Sequence, residues 1–136
     1  MDKMVDKLIR KHKTNNPFII AQNLNVHIRY DDLGKQTRGI YHRTLRRRFI
    51  VINNRLSTEW QHFICAHELG HDRLHKGINR FFIDECSYFN VGKFERQANR
   101  FALQLLIAED TIKQGEQVSE FLLRNGVPEE LHHLYE

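Results

Sequence analysis

Cysteine, proline and long apolar runs are all scarce in this chain, and each scarcity removes a class of protein. Two cysteines, Cys65 and Cys86, cannot build a disulfide framework, so a packed core must hold the fold. With two prolines and seven glycines in 136 residues there is no low-complexity linker, and no internal repeat is visible. No apolar run approaches the ~18 residues needed to span a bilayer. Met1 to Lys7 alternates charged with apolar residues and lacks the apolar core of a signal peptide, so the expected location is the cytoplasm. What remains is an ordinary globular composition, 40% hydrophobic and 28% charged. That length and composition predict a single domain, residues 1–136, around one core.

The net charge of +4 is modest and unevenly spread. Arg43, Arg46, Arg47 and Arg48 form one basic cluster, and the lysines from Lys3 to Lys13 another. Neither is interleaved with aromatics or set in a recognition motif, so both read as solvated faces.

Residues 2–13 carry Met4, Val5, Leu8 and Ile9 on one helical stripe. Asn15-Asn16-Pro17 ends that helix and starts another, with Asn16 as N-cap and Pro17 at the first helical position. Val26 to Tyr30 alternates as a half-buried strand does, and Asp31-Asp32-Leu33-Gly34 is a turn. Two runs between Arg38 and Asn53 predict a hairpin closed near Thr44-Leu45-Arg46, with the arginines at its tip and along a strand edge. The expected class is therefore α+β, with a small three-stranded antiparallel or mixed sheet.

Ser57 and Thr58 open a central helix, where Thr58 and Gln61 fit a capping box and Glu59 favours the helix dipole. Trp60, Phe63, Ile64, His67, His71 and Leu74 share its apolar face. Further on, Arg80 to Ile83 reads as a short strand. A helix starting at Asn90 or Gly92 carries Phe94, Ala98, Phe101, Ala102 and Leu105. A short helix is expected from Glu109 to Gln114. The tail, about 116–136, holds a helix over Val118 to Arg124, an Asn125-Gly126 stop and a turn begun by Pro128.

Within the central helix, His67-Glu68-Leu69-Gly70-His71 carries chemistry. Random order would give roughly 0.04 such motifs in a chain of this composition, so the match is informative without being decisive. Two imidazoles one turn apart suit two of the three protein ligands of a catalytic zinc. Glu68 stands where its carboxylate can take a proton from water at the metal. An inward-facing histidine pair is otherwise a pair of satisfied core groups, and without partners it would be costly.

A third ligand must come from elsewhere. His75 continues the four-residue spacing, but on a continuous helix it lies ~12 Å along the axis from His67, too far to share an ion. It reads as a helix C-terminal residue, stabilised when protonated. Glu95 is the better candidate. Glu95 and Asn99 lie one turn apart on the next helix, so Glu95 can bind metal while Asn99 holds the outward nitrogen of a ligand histidine. Taken alone, Glu95 would read as an exposed residue paired with Arg96, Arg100 or solvent. Cys86, nine residues before Glu95, reads with Cys65 as a reduced thiol, with an inhibitory or redox-sensitive thiolate as the sharper alternative.

The pairing of His67-Glu68-Leu69-Gly70-His71 with Glu95-Arg96-Gln97-Ala98-Asn99-Arg100-Phe101-Ala102 resembles the ImmA/IrrE metallopeptidases, a gluzincin-like group of bacteria, phages and integrative elements. The likeness extends to the Asn16-Pro17 helix start, the hairpin and the Gly126-Val127-Pro128-Glu129-Glu130 ending. It implies a zincin-type helical core, Zn2+ held by His67, His71 and Glu95, and Glu68 as catalytic base. It also implies a protein substrate, a cognate helix-turn-helix repressor of a phage or mobile element.

The expected activity is that of a zinc endopeptidase relieving repression. A non-hydrolytic anti-repressor that sequesters the same partner is the alternative, and a DNA-binding protein using the basic clusters is a third. Tyr41, His42, Tyr88 and Arg80 are candidates for stabilising an oxyanion, and the sequence favours none of them.

Overall fold

The computed structural model describes residues 3–75, 80–108 and 110–135, and for 80–91 the backbone only. Helix α1 (Lys3–His12) buries Val5 and Leu8, as the stripe predicts. Lys13 leaves it with φ of 59°, and Asn16 caps α2 (Pro17–Asn23) by accepting a hydrogen bond of 2.9 Å from the Phe18 N–H. Three strands follow, β1 (Val26–Asp31), β2 (Gly39–Arg43) and β3 (Arg48–Asn53).

The sheet is mixed. β3 lies at its centre, parallel to β1 and antiparallel to β2. Ile50 and Ile52 of β3 are fully buried because both neighbouring strands and the helices enclose them. The β1–β2 connection is pinned from β3. The Asn53 amide donates to the carbonyls of Gly34 and Thr37, 2.8 Å each, while Gly34 turns the chain at φ of 83°.

The basic cluster divides in two. Leu45 is fully exposed at the hairpin tip, where Arg46 and Arg47 are also exposed. Arg48 instead turns inward against the expectation of a solvated face. Its guanidinium bonds both Asp72 oxygens, at 3.0 and 2.9 Å, and the Leu24 carbonyl. Asp72 also accepts from Tyr41 Oη at 2.5 Å and from Arg73. Together these tie β2 and β3 to the end of α3 (Thr58–Leu74).

Helix α3 starts one residue earlier in capping terms than expected. Ser57, not Thr58, is the N-cap, and Gln61 donates to the Leu56 carbonyl rather than closing a box. The stretch expected as a strand at residues 80–83 is helical instead, the opening of α4 (Arg80–Ile107). Short apolar runs do not distinguish strand from buried helix, and this one resolves to helix. No helix forms at 110–114. Arg124 bonds Asp110, Glu116 and the Thr111 carbonyl, so tertiary contacts hold that segment in an irregular course. α5 (Val118–Arg124), Gly126 at φ of 80° and a 3-10 turn (Glu129–Leu134) close the described chain as expected. Phe121, Leu122 and Val127 join the same buried cluster as Val5 and Ile50.

Helices α3 and α4 make the most extensive contact in the fold. Gly70 is why they come so close. A Cβ there would meet Phe101 Cδ1 at 3.0 Å and Ala98 Cα at 3.3 Å. The glycine inside the histidine motif thus sets the spacing to the helix that carries Glu95.

Candidate metal centre

His67 and His71 continue the buried face of α3 and are 7% and 0% exposed. Glu95 comes from the facing turn of α4. Its carboxylate bridges the two rings, with Oε2 3.0 Å from His67 Nε2 and Oε1 3.1 Å from His71 Nε2. One donor atom from each of the three residues lies within 4.8 Å of the others. The long separation in sequence therefore closes in space.

Each outward nitrogen has a different setting. His71 Nδ1 lies 2.9 Å from His75 Nδ1, and His75 Nε2 lies 2.8 Å from Gln97 Oε1. With the Gln97 amide oxygen toward the ring, one arrangement of protons satisfies a neutral chain. His75 donates to Gln97, His71 donates to His75, and the His71 Nε2 lone pair is left facing Glu95. His67 Nδ1 is buried and makes no hydrogen bond among the described residues. Asn99 is a side-chain hydrogen-bond partner of His67, and the outward nitrogen of His71 is taken by His75.

A ring nitrogen that faces the Glu95 carboxylate without a proton is repelled by it. Protons on the rings or a cation between the three groups removes that repulsion, and a divalent ion fits two imidazoles plus one carboxylate with a coordination position to spare. Electrostatics agree. Burial pulls the His67 ring down, but the Glu95 hydrogen bond and the charges of Glu68 and Glu95 outweigh it and raise its pKa. Burial pushes Glu95 up, and the bonds to both histidines override this, holding the carboxyl well below its usual range. The centre is built to gather positive charge.

His75 departs from expectation. It caps α3 but is 4% exposed, and desolvation followed by the neighbouring His71 lowers its pKa. It is a neutral partner of His71, not a protonated helix terminus. Its spacing of one turn beyond His71 was the available signal.

Glu68, 2% exposed, lines the same cleft. Gly39 of β2 makes room for it, since a Cβ there would sit 3.3 Å from Glu68 Oε2 and 2.4 Å from Ile64 Cγ2. The cleft has a volume of about 370 Å³. Its wall includes Arg38, stacked 4.4 Å over the Trp60 ring, and Leu131 of the C-terminal turn. Trp60 Nε1 donates to Glu130 at 2.8 Å, which fastens that turn to the start of α3. These wall residues had no motif to announce them. Tyr41 is spent on Asp72, and His42 stacks with Phe49 on the exposed side of the sheet, so neither lines the cleft. The side chains of Arg80, Cys86 and Tyr88 fall outside the described residues. Cys65 is buried, with its thiol pKa raised by desolvation and Glu68.

A buried His-His-Glu set at the floor of an open cleft, with a further carboxylate beside it, is the donor arrangement of metal-dependent hydrolases. The chain belongs to the IrrE N-terminal-like domain family, Peptidase_M78, which residues 21–125 match. It is similar to the uncharacterized immunity region protein 2 of Bacillus phage phi105, 37% identical over 134 residues, covering 96% of this chain and 85% of that protein. It is also similar to the metallopeptidase ImmA of Bacillus subtilis strain 168, 33% identical over 112 residues. That match covers 82% of this chain and 65% of ImmA, a little under two thirds of its length. No solved structure matches the chain. Among the described residues, no helix is long and apolar enough to cross a membrane.

Proposed function

We propose that this chain is a cytoplasmic zinc endopeptidase with His67, His71 and Glu95 as metal ligands and Glu68 as catalytic base. Its proposed substrate is a helix-turn-helix repressor of a phage or mobile element. The observation that carries the chemical part is the convergence of His67 Nε2, His71 Nε2 and the Glu95 carboxylate at one point, from two helices. The names of the phage relative and of ImmA support the biological part.

When bound, the metal supplies Lewis acidity, polarising a scissile carbonyl and acidifying a water toward neutral pKa. The protein residues do the rest. His71 is oriented by His75, and Glu95 reaches both imidazoles from α4 at the spacing that Gly70 allows. Glu68 takes the water proton and delivers it to the departing amine. Asn99 lies beside His67, where its side chain steadies that ring.

The test combines metal content with cleavage. Purified chain, zinc and the repressor encoded nearest to it should yield a fragment that disappears with chelator. Glu68→Gln should keep its zinc and lose the fragment, and continued cleavage would remove Glu68 from the mechanism. Glu95→Ala should lose zinc. Repressor binding without any chelator-sensitive fragment would favour sequestration over hydrolysis.

A further inference from the structure

A second concavity, about 880 Å³, lies between the outer face of α4 and the C-terminal 3-10 turn. Its rim carries Lys93, Arg96 and Arg100, three and four residues apart along one face of the helix and all exposed. Its floor is apolar, with Leu103 and Ile107 of α4 facing Leu134 and Tyr135. Among the described residues no Asp or Glu lines it, and none of the three cations has a carboxylate partner. The Arg96 guanidinium lies back across the turn over Gly92. An acidic neighbour at one turn stabilises a helical arginine. Here the helix offers none.

The groove adjoins the cleft of the candidate centre at a shared lining residue. Asn99 lines both, which sets the cationic rim beside the Glu95 end of the cleft. We propose that this groove is a substrate exosite, taking an acidic segment with interspersed apolar side chains that flanks the scissile bond. This rests on the peptidase reading for its purpose, while the binding itself does not depend on catalysis. Carboxylates would meet Arg96 and Arg100, and apolar side chains would fill the floor toward Tyr135. Such a site selects one folded partner without making the cleft itself selective, and steers it by charge.

Binding is measured by fluorescence anisotropy on the zinc-loaded full chain carrying Glu68→Gln, so that no probe is consumed. The probes are a labelled peptide alternating Glu with Leu and its Gln-for-Glu counterpart. The acidic peptide should bind at least tenfold more tightly, with a steep salt dependence. Arg96→Glu with Arg100→Glu should erase that difference, and Arg96→Lys with Arg100→Lys should largely keep it, which separates charge from misfolding. Equal affinity for both probes, no binding of either, or indifference to charge reversal overturns the exosite. So does concentration-dependent dimerisation abolished by Arg96→Glu, which would assign the groove to a second copy. Zinc-dependent cleavage by the unmodified chain is scored separately, so loss of the exosite and loss of the peptidase reading give different results.

Discussion

His75 Nδ1 lies 2.9 Å from His71 Nδ1, so the ring one turn beyond the motif takes the nitrogen that His71 turns away from Glu95. A residue excluded as a ligand by distance thereby becomes the hydrogen-bond partner of a proposed ligand. Replacing His75 by Phe keeps bulk beside Phe94 but removes the acceptor. Zinc affinity should fall by roughly 10–100-fold, as for other partners of metal-bound histidines. Competition with a chromogenic chelator measures it, and unchanged affinity would show that the His71 orientation is set by packing alone.

Metal-free stability should depend on pH in a defined direction. The raised His67 pKa contributes stability below its reference value of 6.5, and that contribution fades as pH rises through the higher folded value. The depressed Glu95 pKa contributes above its reference value of 4.5 and is lost on acidification below it. The pair thus supports the metal-free fold best between those two values. Zinc competes with the His67 proton, so the gain in melting temperature on adding zinc should widen from about pH 5 to about pH 8. Parallel thermal melts decide it, and a constant gap would count against His67 as a ligand.

The Asp72 carboxylate is fully buried and serves Arg48, Arg73 and Tyr41 together. Asp72→Ala would leave Arg48 partly buried without its counter-ion, at a cost of about 3 kcal/mol. Urea unfolding reads this directly. Zinc binding per folded molecule should survive, since none of the three partners lines the cleft.

At Gly39 the effect should reach catalysis as well. Gly39→Ala places a methyl group against Ile64 and the Glu68 carboxylate, and overpacking of this kind costs ~1–3 kcal/mol. Peptidase turnover should drop more than zinc content does. Adding Ile64→Leu, which removes the clashing Cγ2 while conserving volume, should recover stability ahead of activity, which would identify Glu68 displacement as the cause.

Legibility in sequence followed the range of the interactions. Asn16-Pro17, Ser57 and Asn125-Gly126 act on backbone groups a few residues away, so those helix ends could be read closely, with Ser57 displacing Thr58 by one position. The histidine motif and Glu95 were readable because metal chemistry restricts residue type and helical spacing at once. Arg48 was misread because Asp72 lies 24 residues ahead and nothing local distinguishes it from Arg46 or Arg47. The start of α4 was missed because Phe81-Phe82-Ile83 fits either period and Gly92 looked like a boundary. The segment near Asp110 depends on Arg124, a distant contact that propensity cannot register.

Gly70 shows how much of the centre is decided by a missing side chain. Any methyl group there would act as a wedge between α3 and α4, pressing first on Ala98 and Phe101. Glu95 stands one turn before Ala98 on the same rigid rod, so the wedge would carry the carboxylate outward while the imidazoles stayed where they are. Ion capture would then fail in a protein that still folds, and the defect would look chemical although its origin is mechanical.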